Sequence, residues 1–295
     1  MDEKVMQTEQ AQPSKAKKCL RSVVRGLFPG IAWTAVAIWC LIFLLLIFWA
    51  FINNFYQDSL FFPKTGKGYG WNFDNYVKAF GALKVMRNSK YIEAPQMLVN
   101  SLIYAGGSGV LSVITACLAS YVLAKYNYLK WVRSLWGIVL VTNYLPISSS
   151  LAANIKLLTD LGLYDSMIGI MFWQCGAFGY IFLIYYATWK SVSWNYAEAA
   201  FIDGCGYFHY IFGFIIRLSM PILSTVFILK LVGAWNDFLT PYIYLIEDKF
   251  MTISTGLFAF KGQFSSNWPG LSAATFTVAL PVIVLYIFLQ RYIID

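Results

Sequence analysis

Long apolar stretches separated by short polar connections dominate the sequence. Six of these stretches approach the ~20 residues that an α-helix needs to cross the hydrocarbon core of a bilayer. They cover residues 31–52, 97–124, 135–155, 166–188, 221–246 and 273–290. The pattern predicts an all-α membrane protein with six transmembrane helices.

A basic leader precedes the first apolar stretch, with five Lys and Arg residues from Lys15 to Arg25. Such an arrangement resembles a secretory signal peptide. However, the apolar core of residues 31–52 is longer than a signal-peptide core, and no small-residue cleavage site follows it. The pattern favours an uncleaved membrane helix after a leader over residues 1–30, with the transmembrane domain over residues 31–295.

Basic residues in the connections predict the orientation, because cytoplasmic loops are enriched in Lys and Arg. The leader and the short connection from Lys125 to Arg133 are basic, and in a six-span chain they lie on the same side. We expect that side to be cytoplasmic. Both termini and residues 189–220 then face the cytoplasm, and residues 53–96 form an outer loop.

The composition agrees with a membrane protein. Hydrophobic residues make up 59% of the chain and charged residues 12%, against about 25% charged in an average soluble domain. These values exclude both an ordinary globular enzyme and a disordered chain. The net charge is +8, but the basic residues are scattered and flank the apolar runs. They fit contact with membrane lipid rather than with nucleic acid.

Motifs for catalysis or cofactor binding are missing from the sequence. The five cysteines form no CxxC pair and His209 is the one histidine, so we expect no metal site. The segment 64–68 lacks the first glycine and the Ser or Thr of a phosphate-binding loop. We therefore expect no enzyme activity and no cofactor on this chain.

Small residues recur every four positions along the second apolar stretch, at Ser108, Ser112, Ala116, Ser120 and Ala124. Small side chains at this spacing let another helix approach closely. The repeat therefore predicts a packing face inside the helix bundle rather than a substrate site.

A polar connection between the fourth and fifth stretches has the pattern of a short surface helix. Ser193 is a candidate N-cap, and Gly204 is a candidate C-terminal stop in a left-handed conformation. Between them, Ala199 and Ala200 leave one helix face flat beside Glu198. That face suits docking into another protein, and a solvated connector helix is the alternative.

The run Glu198-Ala199-Ala200 with Asp203-Gly204 resembles the signature of permease subunits of ABC importers. In that family, this loop forms a coupling helix that sits in a cleft of the cytoplasmic ATPase. The resemblance therefore assigns ATPase coupling to Glu198, Ala199, Ala200, Asp203 and Gly204.

Two positions depart from that family. Pro221 stands at the second of the family's two downstream prolines, but Arg217 occupies the first. Family members often continue with a Gly-rich tail that reaches the ATPases, whereas this sequence stops at Asp295. We expect contacts made by such a tail to be absent or to come from another subunit.

Further motifs resemble the carbohydrate permeases of the same family, in particular the second maltose-type permease. They lie at residues 72–76 with 79–80, 100–101, 161–165 and 235–238. The resemblance implies a type I ABC importer fold in a bacterial inner membrane. It also implies four kinds of partner: a homologous second permease, two ATPase copies that bind ATP and magnesium, an extracellular solute-binding protein, and an oligosaccharide substrate.

Polar residues within the apolar stretches are the candidates for a substrate path. They are Asn143, Tyr144, Ser148, Lys230, Trp235, Asn236 and Asp237. Aromatic faces stack on sugar rings, but membrane interfaces are enriched in the same residues. The sequence therefore does not identify which of these residues contacts a sugar.

Lys230 lies about 14 Å into the fifth stretch, near the middle of the membrane. Asp237 follows two turns later on the same face, roughly 10 Å away along the axis, so a direct ion pair needs a bridge. In one interpretation, backbone carbonyls at the interface with the second permease satisfy Lys230. In the other, Lys230 lines the path and selects a substrate that bears a carboxylate.

Two other classes of protein remain alternatives at this stage. A stand-alone secondary carrier or channel predicts paired charges within the membrane. A structural assembly factor predicts apolar helices without a polar lining. Co-purification of an ATPase distinguishes both from an importer subunit.

Overall fold

A computed structural model of the chain describes residues 15–55, 73–82, 85–87, 90–144, 151–176, 178–263 and 268–290. The chain forms two compact units, Met1–Asn53 and Asn54–Asp295. Strand β1 (Val85–Arg87) pairs antiparallel with β2 (Lys90–Ile92). The helices are α1 (Lys15–Asn53), α2 (Asp74–Ala82), α3 (Ala94–Lys125), α4 (Lys130–Tyr144), α5 (Leu151–Asp160), α6 (Met167–Gln174), α7 (Tyr180–Ser191), α8 (Asn195–Ile202), α9 (Tyr207–His209), α10 (Ile216–Leu218), α11 (Met220–Asn236), α12 (Leu239–Tyr244), α13 (Ile253–Gln263) and α14 (Trp268–Leu289), with a π-helical turn at Tyr210–Ile215 and a 3-10 turn at Asp248–Phe250.

Helix α1 is the described part of the first unit. Its apolar portion, Pro29–Asn53, has 25 residues with a mean hydropathy of 2.9, and no residue of the most apolar window is buried. A helix that is apolar on all sides and exposed fits a span surrounded by lipid. The helix predicted over residues 31–52 is confirmed, and it begins earlier than predicted, at Lys15.

Helix α3 is central to the second unit. Its 32 residues extend about 48 Å, which exceeds the ~30 Å hydrocarbon core. It packs against α6, α7, α11 and α13. The small-residue face predicted for this stretch is confirmed for Ser108, Ser112, Ala116 and Ser120, which are at most 1% exposed, whereas Ala124 is half-buried.

Two hydrophobic clusters lie at the two ends of α3. At its beginning, Met97 and Tyr104 pack with residues of α6, α11, α13 and α14, among them Trp235. At its end, Tyr121 packs with residues of α4, α7, α8 and α11. In this second cluster the buried indole of Trp189 donates a hydrogen bond to Ser120 Oγ at 3.1 Å. Burial of aromatic side chains on both ends fixes the neighbouring helices along α3.

Three helices in the described residues are long and apolar enough to cross a membrane: Pro29–Asn53, Ala94–Lys125 and Pro269–Phe288. A fourth candidate is the bent pair Tyr207–Leu218 and Met220–Asn236. The predicted third and fourth stretches each contain two shorter helices, α4 with α5 and α6 with α7. Residues 145–150, which include the candidate Ser148, lie outside the described ranges.

The motif at residues 100–101 anchors the start of α3 to the segment that precedes α13. Asn100 Nδ2 donates hydrogen bonds to the carbonyl oxygens of Lys249, at 2.7 Å, and Met251, at 2.9 Å. Ser101 Oγ accepts the backbone N–H of Ile253 at 2.8 Å. Ser101 is buried, so it satisfies a backbone donor that water cannot reach.

The motif at residues 161–165 also anchors the segment that precedes α13, through the side chain of Asp165. Asp165 Oδ1 accepts the backbone N–H groups of Ile246 at 2.7 Å and Glu247 at 2.9 Å. Gly162 and Asp165 adopt positive φ angles of 67° and 56°. These left-handed residues form the turn that presents the carboxylate to the neighbouring segment.

We predict that Gly169→Ala destabilises the second unit. A Cβ at this buried position in α6 would lie 2.0 Å from the carbonyl oxygen of Leu163. Forcing an extra carbon into a packed region typically costs about 1–3 kcal/mol. The measurement is the thermal unfolding midpoint of the purified protein in detergent.

The matched control is Gly137→Ala in α4, where an added Cβ meets no atom within 4 Å. This substitution should leave the midpoint unchanged or raise it, because Ala has the higher helix propensity. Equal stability of the two variants would contradict the close approach of α6 to Leu163.

Candidate functional site

The break between α6 and α7 leaves backbone groups free inside an apolar stretch. The carbonyl oxygen of Gln174 accepts Ser112 Oγ at 3.1 Å and Lys230 Nζ at 3.4 Å. The carbonyl oxygen of Cys175 accepts Thr115 Oγ1 at 3.1 Å. Away from water, an unpaired backbone group costs several kcal/mol. Side chains of α3 and α11 therefore stabilise the interruption.

Asp237 follows α11 and accepts hydrogen bonds from three neutral donors. Its Oδ2 lies 3.1 Å from the hydroxyl of Tyr104 and 2.9 Å from Nε2 of Gln174. Its Oδ1 accepts the backbone N–H of Thr240 at 3.1 Å, at the start of α12. Hydrogen bonds to an ionised acceptor are about twice as strong as neutral ones. They hold this carboxylate where α11 ends.

Gln174 bridges the two charged residues that the sequence places on one face of α11. Its carbonyl oxygen contacts Lys230 and its side-chain amide contacts Asp237. The amide also lies 3.1 Å from Tyr104 Oη and 3.4 Å from Thr240 Oγ1. These five residues are called the polar cluster below. The bridge required by the spacing of the two charges therefore comes from α6.

A cavity of about 220 Å³ adjoins the polar cluster. Lys230 lines it from α11, Asp237 from the position after α11, Ser108 from α3, and Gln174 and Tyr180 from the two sides of the α6–α7 break. This volume is about seven times the ~30 Å³ share of one molecule in liquid water. The cavity, called the polar cavity below, has room for a polar group of a ligand.

Trp235 and Asn236, two further path candidates, line a different cavity of about 620 Å³ between α11, α13 and α14. Phe238 and Phe258 also line it, and their rings are stacked with centroids 4.6 Å apart. Trp235 is 2% exposed, whereas Asn236 is exposed and bonds to the carbonyl of its own helix. The structure therefore places these two residues apart from the polar cavity.

Of the remaining path candidates, the two that the structure describes, Asn143 and Tyr144, line neither cavity. Asn143 Nδ2 donates to the carbonyl oxygen of Phe178 at 2.8 Å, which fixes the chain just before α7. Tyr144 is 83% exposed at the end of α4. Ser148 lies outside the described residues.

Gln174 and Tyr104 belong to the site but were not among the candidates from the sequence. Gln174 is the one amide side chain in the apolar stretch 166–188, and Gly176 follows it closely. A lone amide before a glycine inside an apolar stretch is therefore a usable signal of a helix break. Tyr104 gives no such signal, because tyrosines are frequent in this chain.

Helix α8 ends in a Schellman motif at Gly204. The N–H of Cys205 bonds to the carbonyl of Ala200 at 2.9 Å, and that of Gly204 bonds to Phe201 at 3.1 Å. Gly204 has φ +79°, which confirms the predicted left-handed glycine. At the other end, the N-cap is Trp194 and not the predicted Ser193, whose hydroxyl accepts the N–H of Asn195 at 3.2 Å. The helix is eight residues long.

The signature residues are divided between two faces of α8. Ala197 is fully buried, and Ala200 packs partly against the second hydrophobic cluster. Glu198, Ala199 and Asp203 are exposed. Ile202 is 85% exposed. One face therefore holds the helix on the unit, and the other presents an acidic and apolar surface.

The connection around α8 is tied to the end of α3. Lys125 Nζ donates to the carbonyl of Val192 at 2.5 Å. The hydroxyls of Tyr126 and Tyr207 are 2.8 Å apart. This hydrogen bond, and then partial burial, raise the pKa of Tyr126 to about 12, so its hydroxyl stays protonated at physiological pH. The connections at 125–133 and 189–220 thus lie at one end of the unit.

The approach to α11 is bent by 71° between Tyr207–Leu218 and Met220–Asn236. The bend falls at Ser219, and Pro221 stands in the first turn of α11, where a missing N–H costs nothing. Arg217, at the position of the family's first proline, is exposed in α10. The side chain at this position thus points away from the packed interior.

Apolar helices, an interrupted helix, an internal polar cavity and an exposed capped helix together define a membrane permease. The chain belongs to the family of binding-protein-dependent transport system inner membrane components, whose profile matches residues 19–294. It is therefore an inner-membrane permease subunit of an ABC importer, a role distinct from that of the ATPase subunit.

Relatives with sugar-related names match most of the chain. The melibiose/raffinose/stachyose import permease protein MelC of Bacillus subtilis (strain 168) is 26% identical over 66% of this chain and 71% of its own. The arabinooligosaccharides transport system permease protein AraQ of the same organism is 27% identical over 76% of each chain.

A solved structure shows the same fold. It is described as a bacterial ABC transporter involved in the import of the acidic polysaccharide alginate. The similarity has a TM-score of 0.73 at 20% sequence identity, and it covers 92% of this chain and 97% of the other.

We predict that Asp237→Asn weakens the polar cluster. The substitution replaces one carboxylate oxygen by an NH₂ group, which cannot accept the hydrogen bonds that the carboxylate accepts from neighbouring donors. Each lost hydrogen bond to a charged group is worth about 1.5–3 kcal/mol. A lower thermal unfolding midpoint in detergent is the expected result.

Asp160→Asn is the control, since this carboxylate is exposed at the end of α5. It removes the same charge and should change the midpoint little, because surface substitutions are usually within about 0.5 kcal/mol. If Asp237→Asn were as stable as this control, the polar cluster would not hold α11 and α12.

Proposed function

We propose that this chain is the transmembrane subunit of an ATP-driven carbohydrate importer and forms half of its translocation path. The observation that carries the proposal is the family match over residues 19–294. The names of the relatives, which mention melibiose, raffinose, stachyose and arabinooligosaccharides, support an oligosaccharide as substrate. The polar cavity supports a route for a polar solute.

The proposal includes six spans in a type I importer fold. Three apolar helices and the bent pair supply up to four. The other two are α4 with α5 and α6 with α7, in each of which two helices share one apolar stretch. Interrupted helices occur in membranes where the free backbone lines a cavity or is buried in protein. The bonds around Gln174 support this interpretation for α6 and α7.

The proposal assigns coupling to α8 and its C-terminal turn. Glu198, Ala199 and Asp203 are exposed, while Ala197 and Ala200 hold the helix on the unit. The exposed apolar side chain of Ile202 supports docking, because burying it against a partner protein would remove apolar surface from water and lower the free energy. The partner is a cytoplasmic ATPase that binds ATP and magnesium, and this chain carries no cofactor.

The proposed orientation places α8, the 125–133 connection and both termini in the cytoplasm. The connections at 125–133 and 189–220 contact each other through Lys125 with Val192 and Tyr126 with Tyr207. These contacts support placing both connections on the same side of the membrane. The basic residues of the 125–133 connection support the cytoplasm as that side. Residues 53–96 then form the outer loop, and residues 189–220 the coupling loop.

The complete importer in this proposal contains a second homologous permease, two copies of the ATPase and an extracellular solute-binding protein. A ligand can shift a conformational equilibrium only if it binds the two states with different affinity. ATP on the inside and the loaded binding protein on the outside are ligands of this kind. Closure of the ATPases moves α8, and the spans open outward.

A stand-alone secondary carrier is the second candidate. The observation that favours it is the linkage of Lys230 to Asp237 through Gln174, because carriers use charges within the membrane. The two candidates differ in their energy source. An importer subunit gives uptake that requires ATP and the ATPase, whereas a carrier retains uptake without either.

The experiment that tests the proposal is reconstitution of the chain with the products of its neighbouring genes in proteoliposomes. Uptake of a panel of labelled oligosaccharides is measured with internal ATP, with ADP, and without the ATPase. We expect uptake of at least one oligosaccharide with ATP and ATPase together. Uptake that is independent of both would support the carrier instead.

We predict that Gly204→Val uncouples ATP hydrolysis from uptake or releases the ATPase, while the permease still inserts. A left-handed conformation costs a residue with a Cβ about 1–2 kcal/mol, and Val is β-branched. No atom lies within 4 Å of a Cβ at this position, so backbone strain is the direct effect. Uptake, ATPase activity and co-purification of the ATPase are measured.

Gly206→Val provides a matched control two residues away. Gly206 also has no atom within 4 Å of an added Cβ, but its φ of −72° suits any residue. It should keep coupling near the wild-type level. Unchanged uptake and ATPase assembly in Gly204→Val would exclude this turn from coupling.

A further inference from the structure

We infer that the polar cavity binds a carboxylate of an acidic sugar through the Lys230 ammonium. The inference rests on the proposed function, since it names the substrate class of that path. Lys230 extends from α11 into the cavity, and Ser108 and Tyr180 line the walls beside it.

Lys230 has donor capacity that the protein leaves unused. An ammonium carries three donors. Within the described ranges, its single hydrogen-bond acceptor is the carbonyl of Gln174, at the long distance of 3.4 Å. A cation inside an apolar region is costly without partners. An anion that enters the cavity supplies the missing acceptors.

Ser108 is a second unused donor on the same cavity. Its side chain is 1% exposed, and its hydroxyl has no hydrogen-bond partner among the residues that the structure describes. Buried hydroxyls are normally paired. An oxygen atom of a ligand bound near Lys230 can accept this hydrogen bond.

Helix α7 adds a favourable dipole at the cavity. The helix has 12 residues, begins at Tyr180 on the cavity wall and has no side-chain cap at its N-terminus. Free N–H groups at a helix N-terminus carry roughly half a positive charge. Together with Lys230, they make this wall of the cavity positive.

Asp237 lines the same cavity, but its carboxylate makes no direct contact with the Lys230 ammonium in the described structure. Both of its oxygens already accept hydrogen bonds from Tyr104, Gln174 and Thr240. It follows Lys230 by roughly 10 Å of rise along the helix axis, and Gln174 lies between the two charged groups. The single positive charge of the Lys230 ammonium balances one negative charge, which favours a carboxylate over a phosphate.

The test is uptake by proteoliposomes that contain the complete importer with its own binding protein. Oligosaccharides of galacturonate, glucuronate and mannuronate are each compared with the neutral counterpart. The wild type should take up at least one acidic sugar. Lys230→Met should lower that uptake about tenfold or more relative to a neutral sugar, which corresponds to about 1.4 kcal/mol. Lys230→Arg should retain most of it.

Two further variants separate ligand binding from assembly. Lys156→Met removes an exposed charge on α5 and should leave all uptake unchanged. Ser108→Ala removes no hydrogen bond of the described structure, so it should assemble normally. It should lower acidic uptake by about threefold to tenfold. Co-purification of all subunits is measured for each variant.

The outcomes distinguish the inference from the proposed function. ATP-dependent uptake of neutral sugars alone would overturn the inference and leave the proposed function intact. Equal loss of acidic and neutral uptake in Lys230→Met, with Ser108→Ala at the wild-type level, would also overturn it and make Lys230 a structural residue. Absence of ATP-dependent uptake for every sugar would remove the proposed function itself.

Discussion

Pairing of polar groups inside an apolar region is the constraint on which the second unit depends. Between α6 and α7 the chain leaves the helical conformation, and the freed carbonyls of Gln174 and Cys175 need donors there. Ser112, Thr115 and Lys230 supply them. The helices that carry these donors, α3 and α11, must therefore lie close to the break. Small residues on α3 permit that approach, and the break in turn opens the polar cavity.

A second constraint operates at the C-terminal end of α3, where a short helix stays fixed while one of its faces is exposed. Helix α8 is too short to be stable alone in water. Burial of Ala197, the Schellman turn at Gly204 and the bond from Lys125 to Val192 hold it on the end of α3. Its remaining face is left exposed. These contacts fix α8 to α3, which also lines the polar cavity through Ser108.

Local signals predicted much of this arrangement. The apolar stretches predicted α1, α3 and α14, and the small-residue repeat predicted the packing face of α3. Gly204 was predicted because a helix that ends at a glycine commonly uses the left-handed conformation. The 71° bend before α11 and the break inside the fourth stretch were not predicted. Hydropathy averages over a window, so it does not resolve a short interruption whose free carbonyls bond to distant helices.

The site shows the same limit of sequence reasoning. Spacing on one helix was enough to show that Lys230 and Asp237 could not pair directly. It could not reveal that Gln174, 56 positions before Lys230, joins them, because that contact depends on how α6 packs against α11. Of the described path candidates, which were chosen by residue type alone, four line two separate cavities, Asn143 makes a loop contact and Tyr144 is exposed. Polarity within an apolar stretch therefore marks residues that need partners, and only the packing of the helices decides whether the partner is protein or solute.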